Sequence, residues 1–127
     1  MTMETVAAGL CYDWALDYVR AHDDVLMVHG TIAEPFEVPE HRFPHAWIVE
    51  NGIIRDWQCM VAGLGGRYSG TGYPEADFEE TFKPRSATAF TAREATMLMT
   101  RSGHHGPWPK ALIKQAKSFV RSHPWRR

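Results

Sequence analysis

The dipeptide Asn51-Gly52 constrains this chain more than any other feature of its sequence. It separates two β-prone runs, residues 45–50 and residues 53–59. A two-residue hairpin turn of type I′ needs positive φ at both central positions, and Asn-Gly adopts that conformation readily. Residues 45–59 are therefore predicted to form an antiparallel β-hairpin.

A two-residue turn also fixes the register of the hairpin. It places Trp47 opposite Asp56. It places His45 opposite Gln58 on the same face, because side chains alternate along a strand. His45 and Asp56 then lie on the diagonal between the strands, roughly 7–8 Å apart at the backbone and within reach of a side-chain hydrogen bond. The hairpin therefore predicts an imidazole–carboxylate pair.

A cysteine in the N-terminal part of the chain is a candidate partner for this pair. Apolar residues recur at three- and four-residue spacing from Leu10 to about His22, which predicts an amphipathic helix with Cys11 in its first turn. The positive end of a helix and a neighbouring imidazolium both favour the thiolate over the thiol. Cys11, with His45 as base and Asp56 fixing the imidazole tautomer, has the composition of a catalytic triad.

These residues resemble a known family. A Cys at the start of a helix, His-Ala-Trp at 45–47 on a strand, a hairpin with a turn glycine and an Asp on the return strand are similar to the papain-like cysteine fold, in its transglutaminase-like and NlpC/P60-like branches. Members carry Cys, His and an acid or amide in this order and hydrolyse or exchange amide bonds. The resemblance covers roughly residues 8–60 and implies Cys11 as nucleophile, His45 as base and Asp56 as the orienting group.

The resemblance implies a peptide or amide substrate and no cofactor. Residues beside the triad in the chain or on its hairpin face, Tyr12, Trp47 and Gln58, are predicted to contact the substrate. Cys11, His45 and Asp56 are also ligand types that zinc accepts. No clustered Cys or His spacing supports such a site, so no bound metal is predicted.

The other segments complete an α+β layout in a single domain, residues 1–127. Residues 25–28 predict a buried strand that stops at His29-Gly30, and the three prolines of residues 31–44 predict a loop. A glycine-rich loop is predicted after Cys59. Two C-terminal helices are predicted, one from a capping box at Thr91 and Glu94 to near Gly103, and one with Pro109 in its first turn. The fold class is thus an N-terminal helix carrying Cys11 packed on a small antiparallel sheet, with two C-terminal helices.

Charge distribution supports a second functional hypothesis. Residues 1–56 hold ten acidic side chains against three arginines, whereas residues 83–127 hold ten basic side chains against one acid. The two halves attract each other and are expected to pack together. The alternative function is a non-catalytic binding or regulatory protein whose basic last helix contacts a nucleic acid or an acidic protein, through one face formed by Lys110, Lys114, Lys117 and Arg121.

Cysteine content and hydropathy bear on the compartment. The chain has two cysteines, Cys11 and Cys59, which offer neither a disulfide framework nor a Cys-x-x-Cys site, so a reducing cytoplasm is predicted. The longest uncharged stretch is too short and too rich in glycine to span a bilayer, and no membrane association is expected. Residues 104–109 predict a rigid turn between helices, with a lid over a ligand as the alternative.

Overall fold

The computed structural model describes residues 3–33, 40–56 and 72–123. These residues form four helices: α1 (Met3–Ala21), α2 (Glu75–Phe82), α3 (Ala92–Ser102) and α4 (Lys110–Ser122). They also form five strands: β1 (Leu26–Ala33), β2 (Arg42–Glu50), β3 (Ile53–Arg55), β4 (Tyr73–Pro74) and β5 (Arg85–Phe90). The strands make one antiparallel sheet in the order β4-β3-β2-β1-β5. The predicted α+β class, with Cys11 on the N-terminal helix and two C-terminal helices, is confirmed.

Helices cover both faces of the sheet. Helices α1, α3 and α4 bury apolar side chains against one face, where the core includes Leu16, Val19, Met27, Ala46, Ile48, Phe90, Leu98 and Ala116. Helix α2 covers the other face, where the core includes Val28, Ile32, Phe43, Trp47, Ile54, Phe78 and Phe82. Alternation along β1 and β2 therefore supplies two cores from the same strands.

The predicted hairpin register is confirmed over the paired residues of β2 and β3. Glu50 pairs with Ile53, and the next two pairs follow without a shift. Asn51 and Gly52 have φ of 51° and 79°, as a type I′ turn requires. Strand β3 ends at Arg55, so Asp56 is the residue after the last one in the strand. The predicted return strand through residues 57–59 lies outside the described residues.

Strands β1 and β2 are longer than predicted, because each continues through a residue type that commonly ends a strand. Gly30 lies inside β1, where a Cβ would come within 2.9 Å of the Arg85 carbonyl oxygen and 3.1 Å of the Trp47 ring. It permits close approach and accompanies a register shift against β5. Pro44 lies inside β2 where, among described strands, only β1 pairs with it, and a strand paired on one side is a position that tolerates proline.

Helix α1 begins earlier than predicted, at Met3 rather than near Leu10. Residues 3–10 are rich in good helix formers, which extend the helix in the N-terminal direction. Cys11 is therefore eight residues beyond the first helical residue, and its predicted position in the first turn is wrong. Because the helix-dipole effect is confined to the terminal turns, it contributes little at Cys11.

Three elements between residues 73 and 90 were not predicted. Helix α2 buries only Phe78 and Phe82, which is a narrow apolar stripe in a mostly acidic segment. Strand β5 is an edge strand whose residues are mostly exposed, so its sequence lacks apolar alternation. Both elements are held by tertiary contacts that no local sequence pattern predicts.

The C-terminal helices and their connection match their predictions closely. Thr91 and Glu94 form the complete capping box that opens α3, and Gly103 ends it in the left-handed conformation. Pro109 is the residue before α4 rather than part of its first turn. Trp108 is buried in the connection, and its indole N–H donates to the Ser102 hydroxyl at 3.0 Å. These contacts are those of a rigid turn.

Candidate active site

The imidazole and carboxylate that the hairpin register predicts are in direct contact. Nε2 of His45 lies 2.6 Å from Oδ2 of Asp56. The two residues are 0% and 3% exposed, so the pair is removed from water. His45 also lies between the rings of Phe43 and Trp47, with centroids 5.9 and 6.1 Å away. The strand, its aromatic neighbours and Asp56 together fix the orientation of the imidazole.

Contact with Asp56 leaves the other ring nitrogen of His45 for a second partner. Nδ1 is buried and makes no hydrogen bond of regular geometry with any described residue. Burial lowers the pKa of the His45 imidazole, but the charge and hydrogen bond of Asp56 and the nearby thiol of Cys11 outweigh it and raise the pKa to about 10. Cys11 therefore lies within electrostatic reach of the ring. The imidazolium form is favoured at neutral pH.

Cys11 is held against the sheet by its helix. It is fully buried, in a core shared with Tyr12 and with Ala46, the residue after His45 on β2. Since its interior position in α1 deprives it of the helix dipole, any activation of the thiol must come from His45 and Asp56. The three predicted triad residues thus come from α1, β2 and the end of β3.

A second buried histidine, His29, was not predicted as part of any site. It is enclosed by the rings of Tyr12, Phe90 and Trp108, at 4.7, 5.0 and 5.0 Å between centroids. Its Nε2 is buried and makes no hydrogen bond to the described residues. Burial lowers the pKa of His29 to about 4. Alternation from the buried Met27 would have identified this inward position in the sequence.

His29 should make the fold sensitive to acid. The pKa of His29 is lowered in the folded chain. Between about pH 6.5 and pH 4, the unfolded chain therefore binds a proton that the folded chain does not. The free energy of unfolding decreases over this range as the pH falls. The loss should reach about 3 kcal/mol. We expect urea denaturation of His29→Leu to show a smaller decrease between pH 6.5 and 5 than the wild type. Equal slopes in the two proteins would contradict this account.

Of the three residues predicted to contact the substrate, the structure describes Trp47 and Tyr12, and both are buried. Trp47 is 3% exposed and packs against Phe78, and Tyr12 is 4% exposed and packs edge-on against His29. Burial, and to a smaller extent Cys11, raises the pKa of the Tyr12 phenol. Both positions are those of core side chains, and their contact with a substrate stays a prediction. Gln58 lies outside the described residues.

A second His–Asp pair connects the turn before α4 to α1. His105 and Asp13 are joined through Nδ1 and Oδ1, and both side chains are partly exposed. In the same turn, Gly106 lies so close to His29 that a Cβ would come within 2.7 Å of Cε1. The turn is therefore anchored to the helix that carries Cys11.

The basic face predicted on α4 is only partly free. Lys110, Lys114 and Arg121 are exposed, but Lys117 turns inward. Its Nζ donates to the Ala89 carbonyl at 2.6 Å and pairs with Glu94 at 3.1 Å. Lys117 therefore covers the open edge of β5, and its inclusion in the exposed face is corrected.

Metal ligands and membrane spans were also sought in the described part of the chain. Within residues 3–33, 40–56 and 72–123, no three side chains of His, Cys, Asp or Glu converge as a metal site. Among the helices of these ranges, none has the length and apolar character that a bilayer crossing requires.

A scan against protein-family models and searches of curated proteins and of solved structures found no match to this chain. The relation to the papain-like fold stays a prediction that rests on Cys11, His45, Asp56 and the hairpin that carries two of them.

Proposed function

We propose that the protein is a thiol-dependent amide-bond hydrolase or acyl transferase that uses Cys11, His45 and Asp56 as a catalytic triad. The observation that carries the proposal is the buried contact between His45 Nε2 and Asp56 Oδ2. Nδ1 has no hydrogen-bond partner among the described residues, and the Cys11 thiol is nearby. A carboxylate on one ring nitrogen fixes the tautomer and favours imidazolium, which is the arrangement that a cysteine nucleophile needs.

The proposed reaction has two acyl-transfer steps. The reaction starts from a thiolate–imidazolium pair, in which the Cys11 proton already lies on His45, and the thiolate sulfur attacks the amide carbonyl carbon. Collapse of the tetrahedral adduct breaks the C–N bond, and His45 returns the proton to the leaving amine. The acyl group, held on sulfur as a thioester, then passes to water or to a second amine that His45 deprotonates. Asp56 keeps its negative charge throughout and stabilises the imidazolium.

A reducing compartment, such as the cytoplasm, is the proposed place of action. A thiolate nucleophile functions only while it remains reduced.

Alkylation by iodoacetamide tests whether Cys11 is activated. Cys59→Ser leaves Cys11 as the sole thiol, because the chain has two cysteines. In this background at pH 6, we expect the rate of Cys11 alkylation to fall at least about tenfold when His45→Gln or Asp56→Asn is added. Comparing variants at one pH separates activation from access, which matters because Cys11 is fully buried.

Two controls make the alkylation result interpretable. In 8 M urea all variants should react at the same rate, because activation depends on the fold. Circular dichroism identifies any variant that is unfolded, and Asp56→Asn, which preserves side-chain volume, serves if His45→Gln does not fold. Equal native rates in folded wild type and Asp56→Asn would overturn the triad assignment.

A further inference from the structure

The surface formed by α3 and α4 is strongly basic, although the chain as a whole is not basic. Residues 91–123 hold six Lys or Arg side chains and one acid, Glu94, while the whole chain has a formal net charge of −1. Lys117 neutralises Glu94. The cations without a carboxylate partner among the described residues are Arg101, Lys110, Lys114 and Arg121. Any attraction for an anion must therefore be local to this surface.

A shallow groove of about 480 Å³ lies between the end of α3 and the second half of α4. Arg101 and Lys114 supply cations at its margins, and Ser118 and Ser122 supply hydroxyl groups. These are the donor types that bind phosphate oxygens. None of the described residues that line the groove is acidic.

An aromatic platform lies in the same groove. The His123 ring stacks on the Phe119 ring, with centroids 4.1 Å apart and planes 13° from parallel. The Arg101 guanidinium also lies 5.6 Å from the centroid of Phe119. His123 is exposed, so its outer surface is accessible for a further planar group.

We propose that this groove, defined by Arg101, Lys114, Ser118, Ser122, Phe119 and His123, binds single-stranded nucleic acid. Cations and hydroxyls contact the phosphates, and an unpaired base continues the Phe119–His123 stack. An acidic protein segment would satisfy the cations but would not use the platform, and a duplex keeps its bases stacked on one another. This binding goes beyond the proposed amide chemistry and does not depend on it.

A similar stack outside the groove provides a control. Tyr18 and His22 form the same kind of stack at the end of α1, with centroids 3.8 Å apart and planes 13° from parallel. In both stacks the histidine Nδ1 hydrogen-bonds the carbonyl oxygen of its aromatic partner. His22 precedes Asp23 and Asp24, whereas His123 lies in the basic groove. His22 lines a separate cavity that Arg101 also borders, so of the two histidines only His123 lines the groove.

Fluorescence anisotropy with a labelled oligothymidylate of about 12 nucleotides tests the proposal on the full chain. With the two phosphate contacts of Arg101 and Lys114, affinity should fall roughly sevenfold between 50 and 200 mM salt. The double variant Arg101→Gln/Lys114→Gln should bind at least about tenfold more weakly and with a smaller salt dependence. Lys83→Gln/Arg85→Gln removes the same charge from another surface and should bind as the wild type does.

The histidine variants identify the kind of partner. His123→Ala should weaken binding at least about fivefold, the loss expected for one base–aromatic stack, whereas His22→Ala should leave it unchanged. Cys11→Ala should also bind normally, which separates this proposal from the catalytic one. Two results together would overturn the proposal: His123→Ala binds as the wild type does, and poly-glutamate of equal charge displaces the oligonucleotide. The surface would then suit an acidic protein. Absence of binding at 50 mM salt would overturn it as well.

Discussion

Replacing Cys11 by alanine is expected to abolish acyl transfer while the fold is retained. The proposed mechanism has no other nucleophile, so the rate should fall by at least about three orders of magnitude. The lost sulfur leaves a small cavity in a fully buried site, which should cost about 2 kcal/mol or less. p-Nitrophenyl acetate serves as the acyl donor, with release of p-nitrophenolate and the mass of the acetylated chain as readouts.

The second cysteine provides the control for this experiment. Cys59→Ser should retain a burst of one equivalent of p-nitrophenolate and a single acetyl group on Cys11. Urea denaturation of both variants shows whether any loss of activity follows from unfolding. A folded Cys11→Ala protein that is still acetylated at the wild-type rate would eliminate Cys11 as the nucleophile.

Replacing Asp56 by asparagine should reduce the rate by roughly four orders of magnitude without unfolding the chain. The carboxylate accepts the Nε2–H of His45 and stabilises the imidazolium, whose second proton, on Nδ1, comes from the thiol. An asparagine amide can instead donate to Nε2, and the ring then carries its hydrogen on Nδ1, where it cannot act as base. The rate is measured with p-nitrophenyl acetate, and folding by circular dichroism.

The same substitution should change the dependence of stability on pH. The pKa of His45 is raised to about 10, so its contribution to stability is complete below about pH 6.5 and is lost as the pH rises toward 10. The stability difference between wild type and Asp56→Asn should therefore shrink over this range. Asp13→Asn removes the carboxylate of the exposed His105 pair and should change neither rate nor this dependence. A difference that stays constant with pH would show that Asp56 does not stabilise the imidazolium.

The hairpin was predictable because its information is local. Asn51-Gly52 sets the turn, the turn sets the register, and the register brings His45 to Asp56. The contact forms even though β3 ends at Arg55, because the register still directs the chain past His45. A sequence argument works at this site because two residues of the triad lie on one hairpin.

Features that depend on distant contacts were not predictable in the same way. Gly30 and Pro44 resemble strand ends, yet Gly30 permits the approach of β5, and Pro44 lies where β1 is the sole described strand that pairs with β2. Helix α1 begins earlier than its apolar spacing predicts. Its early residues favour a helix by propensity but form no clear apolar stripe. His29 required knowledge of which helices cover β1, since its aromatic neighbours come from α1, β5 and the turn before α4.

The central claim, that Cys11, His45 and Asp56 act as one unit, is tested most directly by NMR titration of the His45 ring. In the wild type, the ring should remain protonated until about pH 10. Cys11→Ala should lower the pKa of His45, because the thiol helps to raise it, and Asp56→Asn should lower it further, because the carboxylate has the larger effect. A His45 titration that is identical in wild type and Cys11→Ala would show that thiol and imidazole do not interact, and would contradict the triad.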